Sequence, residues 1–128
     1  MVNNCPCCSK KSYVDCCGRF LEHGMTARTA EQLMRSRYSA FTLGGNGKYL
    51  LSTWLGADTL GMEAEELSES DVNWVRLEII DKSQQGDNAI VEFKAYHRDE
   101  VNGEQVLHER SSFQRINGCW YYLSGDIL

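Results

Sequence analysis

The chain has 128 residues, 42% of them apolar and 24% charged, with a formal net charge of −5. That length is one ordinary domain with one core, and the composition is globular rather than disordered. No run approaches the ~18 to 20 apolar residues that cross a bilayer, and the acidic balance argues against specific nucleic-acid binding, which wants a basic surface. The opening "MVNNCPCCSK" lacks the apolar segment of a signal peptide, so the expected location is the cytoplasm.

Three textures follow one another along the chain. Residues 1–24 are Cys-rich with little apolar periodicity, 26–70 read as helical, and 72–126 read as strands. The predicted division is a metal-binding knob over 1–24 and an α+β domain over 25–128. In "TAEQLMRSRYSAF", Thr29 with Gln32 three positions on is a capping-box start. Ala30, Leu33, Met34, Tyr38 and Phe41 then recur on one helical face, and Gly44-Gly45 ends the helix. "NGKYLLSTWL" predicts a second, shorter helix with Leu50, Leu51, Trp54 and Leu55 turned inward, and "GMEAEELSES" adds a turn or two. The acidic run Asp58, Glu63, Glu65, Glu66, Glu69 and Asp71 has no Lys or Arg within it and reads as a solvated face.

From Val72 the residues become β-branched and aromatic. "VNWVRLEII" is a first strand, and the polar "DKSQQGDN" is expected to break it. "AIVEFKAYHR" follows, with Val91, Phe93 and Ala95 alternating against Glu92, Lys94 and Tyr96. Asn102-Gly103 and Asn117-Gly118 mark hairpin turns around a third strand, "EQVLHERSSFQRI", and a fourth, "CWYYLSGD". Helices followed by an antiparallel meander make an α+β domain, helices packed on one sheet face.

Five of the six cysteines fall between residues 5 and 17. Cys5, Cys7, Cys16 and Cys17 have the spacing C-x-C-x8-C-C, and four thiolates can close a tetrahedron around a structural Zn²⁺ with no open position. Pro6 stiffens the first pair, and Gly18 permits a sharp exit after the second. Lys10, Lys11 and Arg19 against Asp15 offset the charge of such a centre, and a segment this small would draw much of its folding free energy from the metal. A redox pair and plain buried thiols compete with this reading. Adjacent Cys16 and Cys17 would form a strained ring as a disulfide, which disfavours the first. Cys119, opening the last strand, is expected to be a small core residue.

"CPC…Y…CCG" resembles the SEC-C motif, the zinc-binding module at the C-terminus of the translocation ATPase SecA. Its ligand positions correspond to Cys5, Cys7, Cys16 and Cys17 and its aromatic position to Tyr13. Where the motif has Gly-Ser-Gly this chain has "CSK", so Cys8 and Lys10 replace glycines and Cys8 is a spare thiol. "AEQLMRSRYSAF", "YLLSTW" and "HERSSF…GCWYYLSGD" further resemble the bacterial YchJ-like family. The resemblance implies a cone of helices on a curved antiparallel sheet, similar to nuclear transport factor 2 and cystatin-like folds. Relatives tend to follow the Thr-Trp pair with His-Pro, where this chain has Leu55-Gly56.

The resemblance carries two functional expectations. SEC-C motifs elsewhere contact proteins such as the SecB chaperone, which makes a non-enzymatic adaptor, meeting a protein partner through the zinc knob, the leading one. The alternative is a small-molecule binder or an isomerase- or dehydratase-like enzyme using the cone, with Tyr38, Trp54, Glu109 and Trp120 on its walls. Relatives of the fold also dimerise. Arg35 and Arg37, two apart on a helix, cannot face the same way, so one is expected at the mouth of the cone and the other toward solvent or a carboxylate. Ordinary salt-bridging residues are the leading reading, and an anion-recognising arginine in a pocket the alternative. On "HERSSF", Phe113 marks the core side, which places Glu109 and Ser111 toward the concave interior, with Arg37 or Arg35 the expected partner of the carboxylate. His23, His97 and His108 have no ligand or triad spacing, and Gly44–Gly47 follows a helix rather than a strand, so no nucleotide loop or catalytic set is legible.

Overall fold

The structure is a computed structural model and describes residues 4–69 and 72–128. The N-terminal segment folds first on itself. Asn4 bridges Ser12, the Cys5 amide donates to the Lys11 carbonyl at 2.8 Å, a single 3-10 turn spans Tyr13–Asp15, and α1 runs Gly18–Leu21. The role of Gly18 is close contact rather than a sharp exit. A Cβ there would sit 2.8 Å from the Tyr13 carbonyl oxygen and 3.1 Å from its ring.

Helix α2, Ala30–Leu43, is the centre of the molecule. Thr29 caps it by accepting from the Gln32 amide at 3.0 Å, while Gln32 Oε1 reaches one residue further back than a capping box requires, to the Arg28 amide at 2.8 Å. The predicted stripe faces the sheet, yet Ser36, Arg37 and Ser39 are buried too. The reason is that α2 is covered on more than one side, by the cysteine knob and by α3, Gly47–Ser52. Small hydroxyls suit such close packing: Ser36 donates to the Leu33 carbonyl at 2.7 Å and lies 2.6 Å from the Tyr49 hydroxyl.

Helix α3 ends at Ser52, earlier than the sequence predicts. Trp54 and Leu55 lie beyond it, in a short extended run that pairs with the last strand: Leu55 N–H donates to the Tyr122 carbonyl at 2.9 Å and Tyr122 N–H to the Thr53 carbonyl at 2.8 Å. A second 3-10 turn, Ala57–Leu60, leads to α4, Ala64–Leu67. Of the acidic run, Glu63, Glu65, Glu66 and Glu69 are exposed as expected, while Asp71 and the side chain of Asp58 lie outside the described residues. No helix among the described residues is long and apolar enough to cross a membrane.

The sheet is a four-stranded antiparallel meander in the order β1 (Trp74–Gln85), β2 (Asn88–Asp99), β3 (Gly103–Ile116) and β4 (Cys119–Ile127). The polar stretch 81–88 does not break β1. The strand runs on to Gln85, and a two-residue turn led by Gly86 at φ 62° joins it to β2. Polar side chains are tolerated there because both faces of that end are solvated. Asn117 (φ 51°) and Gly118 (φ 82°) supply the two positive φ values of the last hairpin, as predicted. Register shifts at Trp74/Arg76, Ile79/Asp81 and Ser112/Phe113 bend the sheet around the helices. Ala89, Val91, Phe93, Ala95 and Phe113 form its inner face, in one buried cluster with Phe20, Leu33, Tyr38 and the four knob cysteines. The core is therefore continuous across the predicted boundary at residue 24.

Candidate functional site: a sulfur quartet and an aromatic cavity

The extended bridge at Asn4–Ser12 and the turn at Tyr13–Asp15 bring the two ends of the N-terminal loop together. Cys5, Cys7, Cys16 and Cys17 are all buried, their sulfurs lie within 4.8 Å of one another, and Cys7 and Cys16 are 3.6 Å apart. Sulfurs bound at ~2.3 Å around one tetrahedral centre stand about 3.8 Å from each other, so the quartet has the dimensions of a four-thiolate metal site. Ser9 Oγ lies 3.1 Å from Cys16 Sγ and Ser39 Oγ 3.6 Å from Cys5 Sγ. Bonds from the thiols of Cys17 and then Cys7 hold Cys5 well below the ordinary thiol value, and the same contacts, Cys5 first, push Cys17 far above it. Four sulfurs this close ionise together only around a shared cation. The donor set and its spacing fit a closed, structural ion. Cys8 stands apart and exposed, its sulfur 3.6 Å from the Pro6 carbonyl and 3.4 Å from the Leu77 amide.

Beyond α2, between the helices and the sheet, lies a cavity of about 250 Å³. Its walls are Tyr38, Trp54, Trp74, Phe93, Leu107 and Tyr122, with Met34, Phe41 and Ala95 filling in. Three polar side chains open onto it, Arg37, Glu109 and Ser111. Glu109 Oε2 accepts from the Ser111 hydroxyl at 2.5 Å and from the Tyr122 hydroxyl at 3.3 Å. Gly125 makes room, since a Cβ there would collide with the Glu109 carboxylate. Arg37 Nη1 donates to the Leu50 carbonyl at 2.8 Å and the Thr53 hydroxyl at 2.7 Å, closing the last turn of α3. Its guanidinium carbon stands 4.9 Å from the Tyr122 ring centre and 5.7 Å from that of Trp54. Burial pushes Arg37 down to about 10 and Tyr122 up to about 12, so at neutral pH the first stays charged and the second keeps its donor hydrogen.

Comparison with known proteins places this arrangement. The family described as "YchJ, middle NTF2-like domain" matches residues 29–125. The chain belongs to the YchJ-like family. A UPF0225 protein of Bordetella pertussis is 44% identical over 126 residues, covering 96% of this chain and 92% of that one. A UPF0225 protein of Streptomyces coelicolor is 42% identical over 129, covering 97% and 95%. Among solved structures, a SEC-C motif containing protein from Rhodopseudomonas palustris superposes with a TM-score of 0.86 at 33% identity, covering 98% of both chains. A second, from Psychrobacter arcticus, gives 0.84 at 30% identity, covering 98% of this chain and 82% of its own.

Within this YchJ-like chain the expected site residues divide. Cys5, Cys7, Cys16 and Cys17 converge, and Arg37, Tyr38, Trp54 and Glu109 share the cavity. Arg35 and Trp120 do not reach it. Arg35 lies on the knob side of α2, where Nη1 donates to the Cys7 carbonyl at 2.7 Å and Nε pairs with Glu31 at 2.9 Å. Trp120 sits deeper, buried beneath the start of α2 with its indole donating to the Arg28 carbonyl at 3.2 Å. The expected pairing of Glu109 with an arginine is also corrected, because two hydroxyls take that place. Cys119 is half-buried rather than a core residue. Sequence reasoning does not single out Tyr122, Trp74 and Leu107 as cavity residues. Tyr122 is within its reach, two positions from Trp120 on the same strand face. His108 bonds Glu92 at 2.8 Å on the opposite face of the sheet.

Proposed function

We propose that this chain is a small-molecule-binding protein whose scaffold is completed by a structural zinc ion. The observation that carries this reading is the cavity: aromatic walls around a buried guanidinium and a carboxylate that form no direct ion pair. Such a concave, apolar space with few convergent polar groups is the usual form of a ligand site. Zinc is the ion a closed four-thiolate set selects in a reducing compartment, and it leaves no position for substrate, so its role is to hold the knob against α2. Native mass spectrometry should find one zinc per chain, lost on replacing Cys7 with Ser. Small aromatics such as p-cresol and indole should quench Trp54 and Trp74 fluorescence, and Ala95→Leu, which fills the cavity, should remove that response. A protein that quenches equally with Ala or Leu at this position has no such site.

A second reading, the adaptor, is supported by the outer rim of the knob. Lys10, Lys11 and Val14 line it, and Val14 is 60% exposed. A complex formed through the knob would be lost on reversing the charge of Lys10 and Lys11, with the cavity response unchanged.

A further inference from the structure

The cavity holds two opposite charges, and each keeps an unused face. Arg37 is only 5% exposed, and Nη1 alone makes its hydrogen bonds. Among the described residues no fully buried side-chain nitrogen or oxygen lacks a partner. Nε and Nη2 of Arg37, which have none, are therefore not fully buried, on a residue that lines the cavity. Both bonds to Glu109 fall on Oε2, so by the same argument Oε1 is open. Ion pairs among the described residues involve neither group.

The chemistry of these two faces is specific. Nε and Nη2 of a guanidinium form a planar fork that matches the two oxygens of a carboxylate. In a site with few other polar atoms, an anion there is attracted more strongly than in bulk water. The open Glu109 oxygen in the same cavity can only accept, so it selects a hydroxyl or amino hydrogen and repels a second acid group. The rings of Tyr122, Trp54, Trp74 and Phe93 line the same cavity and favour a flat ring. The volume of about 250 Å³ admits a substituted ring.

We propose that the cavity binds a small aromatic carboxylate carrying a hydroxyl or amino hydrogen, its carboxylate on the Arg37 fork and its donor on Oε1 of Glu109. This rests on the pocket reading above. The test titrates the full-length, zinc-loaded protein with 4-hydroxybenzoate, benzoate, p-cresol and tyramine, read by tryptophan fluorescence and calorimetry. The expected order has 4-hydroxybenzoate at least about tenfold tighter than benzoate or p-cresol, because each of these lacks one of the two polar contacts. Tyramine, which has donors for Glu109 and no carboxylate for Arg37, is likewise expected to bind at least about tenfold more weakly than 4-hydroxybenzoate. Glu109→Leu, checked for folding by circular dichroism, should bring 4-hydroxybenzoate down to the level of benzoate. If p-cresol or tyramine binds tightest in the wild-type protein and loses binding with Ala95→Leu, the ligand class is wrong and the pocket stands. If none of the four binds, or binding survives that variant, the pocket reading falls with it.

Discussion

Two side chains in the knob occupy backbone that suits glycine. Cys8 has φ 66° and Lys10 φ 73°, the left-handed region where a Cβ meets the following carbonyl at a cost of about 1–2 kcal/mol. Neither has the short amide that eases Asn117 into the same region. These are the positions where the SEC-C pattern has glycines, so the turn keeps its shape and bears the strain. Replacing either residue with Gly should raise stability by about 0.5–1 kcal/mol, since the strain relieved exceeds the roughly 0.5–1 kcal/mol of added freedom in the unfolded chain. Urea midpoints of the two single variants and their double test this. A drop in either midpoint would show that the side chain contributes something beyond its backbone.

At the level of elements, α2 is tied to the sheet by charge. Glu31 pairs with Arg35 on its own helix at 2.9 Å and with Lys82 of β1 at 2.5 Å. Lys82 first, then Arg35, holds the Glu31 carboxyl below its ordinary value of 4.5. A group whose folded value is depressed adds stability above its unfolded value and loses it as pH falls through the folded one. The clasp is therefore intact at pH 7 and fades below about pH 4.5, toward the lower folded value. Lys82 is 65% exposed on its side chain, so solvent screening limits the contribution to about 0.5 kcal/mol. Glu31→Gln should cost about that much at pH 7 and progressively less as pH falls below 4.5, read from denaturant curves across that range. A difference that persists at low pH would mean Glu31 acts through packing.

Across the whole molecule, the sequence is most informative where chemistry is local. The spacing of Cys5, Cys7, Cys16 and Cys17, the cap at Thr29, the Asn-Gly turn at Asn117 and the alternation of Val91, Phe93 and Ala95 are all set by neighbours within a few residues. Legibility falls where contacts come from far along the chain. Ser36 and Ser39 read as polar, yet they are buried because knob and helix approach α2 together. Trp54 reads as helical, but pairing with Tyr122 of β4 draws it into an extended run. Glu109 invites an arginine on charge alone, and β4 supplies a glycine and a phenol instead. The cavity is made by this long-range geometry, so its full lining is not written in any one segment.

Strand β1 is the outer strand of the sheet on one side, twelve residues long, and it offers an open ladder of amides and carbonyls. Its two register shifts interrupt that ladder, and Lys82 carries an exposed ammonium toward Glu31 of α2, so an added strand would meet charge at this margin. The margin of the sheet is thus a poor template for another chain. The same lysine that fastens the central helix sets a charge on the margin where a further strand would have to pair.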